Sequence, residues 1–338
     1  STLFLVALGL LYGLLGTLNM AEIAVRLREV APEDLAIVRA TCGLLLVVFC
    51  AKAALLPLYL WLPETYSRAP ATVAALFTIM TKVGLYALLR LSTLMFGEEA
   101  GLLAGFASDT LLAFGLVTLV LAGVGVVGSL RLRISAAYLV LLSAGTLFVA
   151  FALAQPGTIS AGLYYLPHSC FAGAAMFMIA HIVQRERGLL GDRVLPTAPP
   201  LPRLTGSLYM VAAISIAGLP PLSGFIGKFA LLGAAPDGDT GWVFAAVLGS
   251  SLLAIIGLTR TGTRLFWRVE ESDLPRSPPP TIPRLELAAT GLLLAYGIAM
   301  TVAAEPVLRY TGATAAQLLS PDDYIESVRG TRPLLRTP

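Results

Sequence analysis

The sequence predicts an all-α integral membrane protein of about nine transmembrane helices, and two observations carry that expectation. Of its 338 residues 57% are hydrophobic and only 13% are charged, against roughly 25% charged in a soluble domain. Apolar stretches of about 18 to 27 residues recur along the chain, each long enough to cross a hydrocarbon core of about 30 Å. Lipid offers the backbone no hydrogen-bond partner, so such stretches form helices.

Taken in order, the spans are expected near 3–20, 36–61, 71–95, 110–130, 134–154, 159–184, 206–234, 241–268 and 286–304. The first begins almost at residue 1, without the basic n-region and small-residue cleavage site of a signal peptide. It reads as an interior helix of a longer bundle. Gly9 and Gly13 on this span suggest close helix packing. In the fourth span Gly123, Gly125 and Gly128 satisfy G-x-G-x-x-G, yet a dinucleotide site needs a preceding strand and an acidic residue about 20 positions on. Within an apolar span, packing through small residues is the favoured reading. Arg260 and Arg264 can snorkel from the eighth span to its nearer face. After the Pro306 break, residues 311–326 are polar enough to leave the bilayer and form a short surface helix.

Connecting segments alternate between two sides. One set holds Arg68, Arg131, Arg133, Arg185, Arg187, Arg193, Arg203, Arg268, Arg276 and Arg284; the other has little beyond Arg26 and Arg28, offset by Glu22, Glu29, Glu33 and Asp34. The arginine-rich set is expected in the cytoplasm, which places the amino end inside and the tail around Asp322 outside. Segments 188–203 and 269–284, the latter with Pro278, Pro279 and Pro280, read as extended connectors. A formal charge of +3 spread over loops suggests no nucleic-acid partner. Cys42, Cys50 and Cys170 fall inside spans without metal-ligand spacing and read as buried, inert thiols.

The chain has twenty arginines but only three lysines, Lys52, Lys82 and Lys228, and all three lie inside apolar spans. A lysine at a helix centre costs roughly 2.5–3.5 kcal/mol on insertion scales. A desolvated lysine can release its proton, whereas arginine stays charged. Proton carriage is therefore the functional reading, with snorkelling toward an interface as the competing one, strongest for Lys228 near a span end. Pro57 cannot donate to the carbonyl of Ala53, and Pro220 and Pro221 leave the carbonyls of Ile216 and Ala217 free. Broken helices beside ionisable groups are typical of ion pathways, and a simple proline kink is the alternative. His168, near the middle of its span, suits a proton relay or a satisfied packing position. His181, beside Arg185 and Arg187, is given no role. All twenty carboxylates fall in loops, at span ends or in the tail, so Lys52 and Lys82 have no intramembrane anion within the sequence.

At these residues the sequence resembles the antiporter-like family shared by Mrp-type cation/proton antiporters, respiratory complex I and membrane-bound hydrogenases. KAALLPLYLWLP, from Lys52 to Pro63, is similar to the family's broken-helix motif; TKVGLYALLR carries its following lysine; GLPPLSGFIGKFALL is similar to its second broken helix. The ending TGATAAQLLSPDDYIESV and the preceding RLFWR most resemble the PhaD-type branch of the Mrp antiporters.

The resemblance implies a fourteen-helix antiporter-like fold with two inverted five-helix repeats and two broken helices. Residues 1–95 would be the remaining three helices of the first repeat, 96–268 the second repeat, and 269–338 the last transmembrane helix and an external amphipathic tail. It implies Lys52 as the central lysine of the first half-channel, Lys82 as the connecting lysine, His168 as the relay and Lys228 as the terminal lysine of the second half-channel. The family's glutamate partner for the central lysine lies on the helix before the one where this sequence begins. At Ala172, where complex I relatives carry a lysine, the sequence is apolar. The implied function is that of a proton-translocating subunit of a multisubunit sodium or potassium/proton antiporter in the bacterial cell membrane, a transporter part rather than an enzyme, with other antiporter subunits as partners and no cofactor or metal. The alternative is a proton-pumping membrane subunit of a redox complex. A third class, a structural membrane subunit with inactive channels, predicts that none of the lysines matters.

Overall fold

The computed structural model describes residues 2–196, 201–268 and 283–330; Arg276 and the Pro278–Pro280 run lie outside the described residues. Among the described residues the chain forms fourteen α-helices and no strand, only a single bridge between Arg131 and Arg193. Seven helices are long and apolar enough to cross a membrane, or eight if one bent pair counts as a span. The protein is an all-α integral membrane protein.

The bent pair is α1 (Thr2–Leu15) and α2 (Met20–Arg28), which turn through 55°. Asn19 caps α2 by accepting from the Ala21 amide at 3.0 Å, and Arg26 donates back to the Leu15 carbonyl. Both contacts satisfy helix-end groups that would otherwise lack partners. Helix α3 (Leu35–Ala53) then runs to a break, the short α4 (Trp61–Arg68) follows it, and α5 (Ala71–Met95) follows Pro70. Helices α6 (Ser108–Gly128), α7 (Leu132–Ala152) and α8 (Pro156–Arg187) cross in turn. The expected span 206–234 is two helices, α9 (Arg203–Ala217) and α10 (Ser223–Gly233), each too short to cross alone. Next come α11 (Thr240–Gly262), ending in a π turn at Thr263–Trp267, then α12 (Arg284–Val302), α13 (Ala304–Leu319) and α14 (Asp322–Gly330).

The two breaks share one local geometry. Ala54 and Gly218 end α3 and α9 in the left-handed region, at φ 63 and 79. The amide one residue further on reaches back five residues in each case, Leu55 to Cys50 at 2.9 Å and Leu219 to Ile214 at 3.1 Å, the Schellman closure of a helix C-terminus. Pro57 and the pair Pro220 and Pro221 follow within three residues, and the peptide bonds Leu56–Pro57 and Pro220–Pro221 are cis. The first break is stitched to α6 by the Leu56 amide donating to Thr118 Oγ1 at 3.0 Å.

Helices α7 and α8 form the centre. Their most apolar stretches are 89% and 78% buried within the chain, against 17% for α12. Helix α8 packs against α5, α7, α9, α10, α12 and α13. Small residues set the approach: a Cβ on Gly123 would meet Leu253 of α11 at 3.0 Å, and one on Gly125 would overlap the Tyr138 ring of α7. Gly9, Gly13 and Gly128 face open space, so the expected packing role does not hold for them within the chain. Cys42, Cys50 and Cys170 are free and buried.

Candidate functional site

Lys82 is 2% exposed, on the face of α5 that meets α7 and α8. Its Nζ donates to Ser143 Oγ at 2.7 Å, and Ser143 in turn donates to the Val140 carbonyl at 2.7 Å. Thr78, one turn earlier on α5, donates to the Cys170 carbonyl of α8 at 3.2 Å.

His168, 1% exposed, follows Pro167 in the interior of α8. This proline leaves the Leu163 carbonyl without a helical donor one turn before the imidazole. His168 Nδ1 lies 2.9 Å from Ser223 Oγ, the first residue of α10. A Cβ on Gly224 would stand 2.8 Å from Nε2, so glycine is what lets α10 begin against the ring.

Lys228 is 5% exposed, and its Nζ donates to the Ala217 carbonyl at 3.0 Å, the Ile216 carbonyl at 3.4 Å and Ser251 Oγ of α11 at 2.9 Å. Those carbonyls are the pair that Pro220 and Pro221 deprive of helical donors. The ammonium thus sits at the negative end of α9, where a cation is favoured. Among the described residues no carboxylate pairs with any lysine; the ion pairs belong to arginines and His181.

Between these groups lies a cavity of about 10 Å³ bordered by Ser143, Tyr165, His168, Ser169 and Ala172. It touches both the partner of Lys82 and the imidazole. Its volume is near the least that one water molecule needs. Ser143, Ser223 and Ser251 were not singled out in the sequence, because an isolated serine in an apolar span carries no periodic or spacing signal. Lys52 is separate from this group. It lies in the last turn of α3, where the helix end favours a cation, and its side chain is exposed on the flank of the chain.

A polytopic helical membrane protein, with buried ionisable groups gathered at a broken helix, is the class that this fold and site define. A family model described as "NADH:quinone oxidoreductase/Mrp antiporter, TM" matches residues 1–254, and the chain belongs to that family. It is 34% identical to the D component of a probable K(+)/H(+) antiporter of Rhizobium meliloti, over 97% of this chain and 66% of the relative. It is 33% identical to the D component of the Na(+)/H(+) antiporter of Alkalihalophilus pseudofirmus, over 97% of this chain and 65% of that one. The chain thus spans about two thirds of the length of these curated relatives. Among solved structures it superposes on a chain of the Mrp complex from Dietzia sp. DQ12-45-1b with TM-score 0.84 at 24% identity, covering 97% of this chain and 67% of that one, a likeness of fold.

Proposed function

We propose that this chain is the proton-translocating part of a multisubunit cation/proton antiporter in the bacterial cell membrane, exchanging sodium or potassium for protons, with its arginine-rich end in the cytoplasm. The observation that carries the reading is the group Lys82, His168 and Lys228, buried and held by neutral hydroxyl and carbonyl oxygens. Leaving charge unpaired inside a membrane is costly, and such groups mark ion and proton routes. Hydroxyls both donate and accept. Ser143 and Ser223 can therefore hand protons on, and a water in the intervening cavity would close the gap between Ser143 and His168.

In this reading Lys52 is the corresponding lysine of the first half-channel, and its anion comes from a segment or subunit outside the described residues. The shared closure of the two breaks supports an inverted repeat, with residues 1–95 belonging to the first unit, 96–268 forming the second, and 269–338 adding the last span and tail. The family also contains redox-complex subunits; the names of the two relatives above favour the antiporter.

The test is exchange by the complete assembly in everted vesicles. Lys82→Arg keeps the charge but cannot release a proton at working pH, so it should impair exchange almost as much as Lys82→Ala. Normal pH-dependent exchange in the arginine variant would defeat the relay.

A further inference from the structure

A second ionisable cluster stands away from the lysines, at the arginine-rich end, where α8 leaves the bundle beside the start of α12. Arg185 Nη1 contacts Glu286 Oε1 at 2.6 Å, and His181 Nε2 lies 3.8 Å from Glu286 Oε2. Oε2 is shut off from solvent and accepts no hydrogen bond. A buried acceptor left this way is costly unless a donor moves onto it. Beside the pair is an open cavity of about 320 Å³, lined in part by Thr72, Arg133, His181, Gln184 and Glu286. A neighbouring cavity of about 330 Å³ shares Arg133 and Gln184 and reaches Arg68, Arg131 and Asp192. Both open outward and are large enough to admit several water molecules.

The charged groups around the pair are few. They are Arg185 on α8, Arg133 at the start of α7 and Glu286 on α12. Glu186 is turned away toward α9, where its Oε1 accepts from Thr205 at 2.8 Å; Arg284 and Arg203 open α12 and α9. The part of α5 lining the cavity, Ala71 and Thr72, has no ionisable side chain. The Arg133 guanidinium in its lining makes the cavity a poor cation site. His181 lies thirteen residues beyond His168 on α8, a rise of about 20 Å, so one helix carries an imidazole at the mouth and another in the interior.

We propose that His181 and Glu286 form the proton-loading site of the arginine-rich face, the imidazole taking a proton from the water of this cavity and the carboxylate holding it there. Its part in exchange rests on the function proposed above; its protonation chemistry does not.

Two readouts on the intact complex test it. In exchange measured across pH, activity that needs His181 protonated falls on the alkaline limb. Glu286→Gln should move that limb down by about half a pH unit or more, and Arg185→Gln should move it up. With His181→Gln the limb should no longer respond to Glu286→Gln. A merely structural pair would lower activity in both variants without opposite shifts. Independently, ethoxycarbonylation of His181 by diethylpyrocarbonate, followed by mass spectrometry across pH, reads the neutral imidazole, with buried His168 as the internal control. Glu286→Gln should make His181 react at lower pH, and if that variant fails to assemble, Arg185→Gln should make it react at higher pH. Unmoved profiles in exchange and in labelling overturn the inference, even where Lys82→Ala abolishes exchange and the proposed function stands. Shifted labelling in a complex that exchanges nothing upholds the pair and removes the antiporter reading.

Discussion

Gly218 shows how one residue without a side chain positions one with a long side chain. Its φ of 79 suits glycine, and a Cβ there would meet Lys228 Cδ at 2.8 Å and Nζ at 3.1 Å. Gly218→Ala therefore adds roughly 1–2 kcal/mol of left-handed strain and pushes the ammonium off the Ile216 and Ala217 carbonyls. Exchange by the full assembly should drop about as far as with Lys228→Ala, although the lysine is still present; wild-type exchange in Gly218→Ala would show that these carbonyls do not hold Lys228 in place for transport. Ser143 offers a second test. It is the hydrogen-bond partner of a buried ammonium, and bonds to charged groups are worth about 1.5–3 kcal/mol, or roughly tenfold and upward in rate. Ser143→Ala should slow exchange by about that factor, and Ser143→Thr, which keeps the hydroxyl, should restore most of it.

At the scale of elements, the tail is a strap. Helix α13 lies along α8, joined by Ser160 Oγ and Thr311 Oγ1 at 3.0 Å, and α14 docks on α2. Ile325 is buried with Ala21, Ala24 and Leu94. Around it Arg28 reaches Glu99 at 2.7 Å and Asp322 at 3.0 Å, and Arg329 reaches Glu22 at 3.0 Å. Those ion pairs are largely open to water and contribute about 0–1 kcal/mol each, whereas truncating a buried isoleucine costs about 2 kcal/mol or more. Ile325→Ser should free α14 to trypsin at Arg329, and Arg28→Gln should change the cleavage rate little. The opposite ranking would mean that charge, not apolar contact, holds the strap.

For the whole molecule, the arginine-bearing connectors converge on one end. Arg68, Arg131 and Arg133 border one cavity, the segment 130–132 pairs with 192–194 through Leu132 to Asp192 and Val194 to Leu130, both at 2.9 Å, and Arg185 reaches the start of α12. The α2, 97–103 and α14 segments gather at the other end. Positive residues are retained on the cytoplasmic side, so an impermeant maleimide applied to intact cells should label Asp323→Cys and leave Leu195→Cys unlabelled, with the three native cysteines buried. The reverse pattern would invert the orientation.

Composition and apolar run length were enough to determine a helical membrane protein, because a backbone in lipid has few alternatives. Three lysines against twenty arginines, with prolines close to Lys52 and Lys228, marked Lys52, Lys82, Lys228 and both breaks, since the cost of a charge in hydrocarbon is legible residue by residue. The number of full spans was less so: hydropathy runs straight through the span 206–234, which the chain divides at Gly218 into two short helices. Tertiary structure alone decided which hydroxyls face Lys82, His168 and Lys228, because Ser143, Ser223 and Ser251 are distant in sequence from the groups they touch. It also decided that Lys52 stands on the flank, apart from the others. Glu286 and His181 are 105 residues apart and meet only because α12 packs on α8; no local pattern encodes that packing.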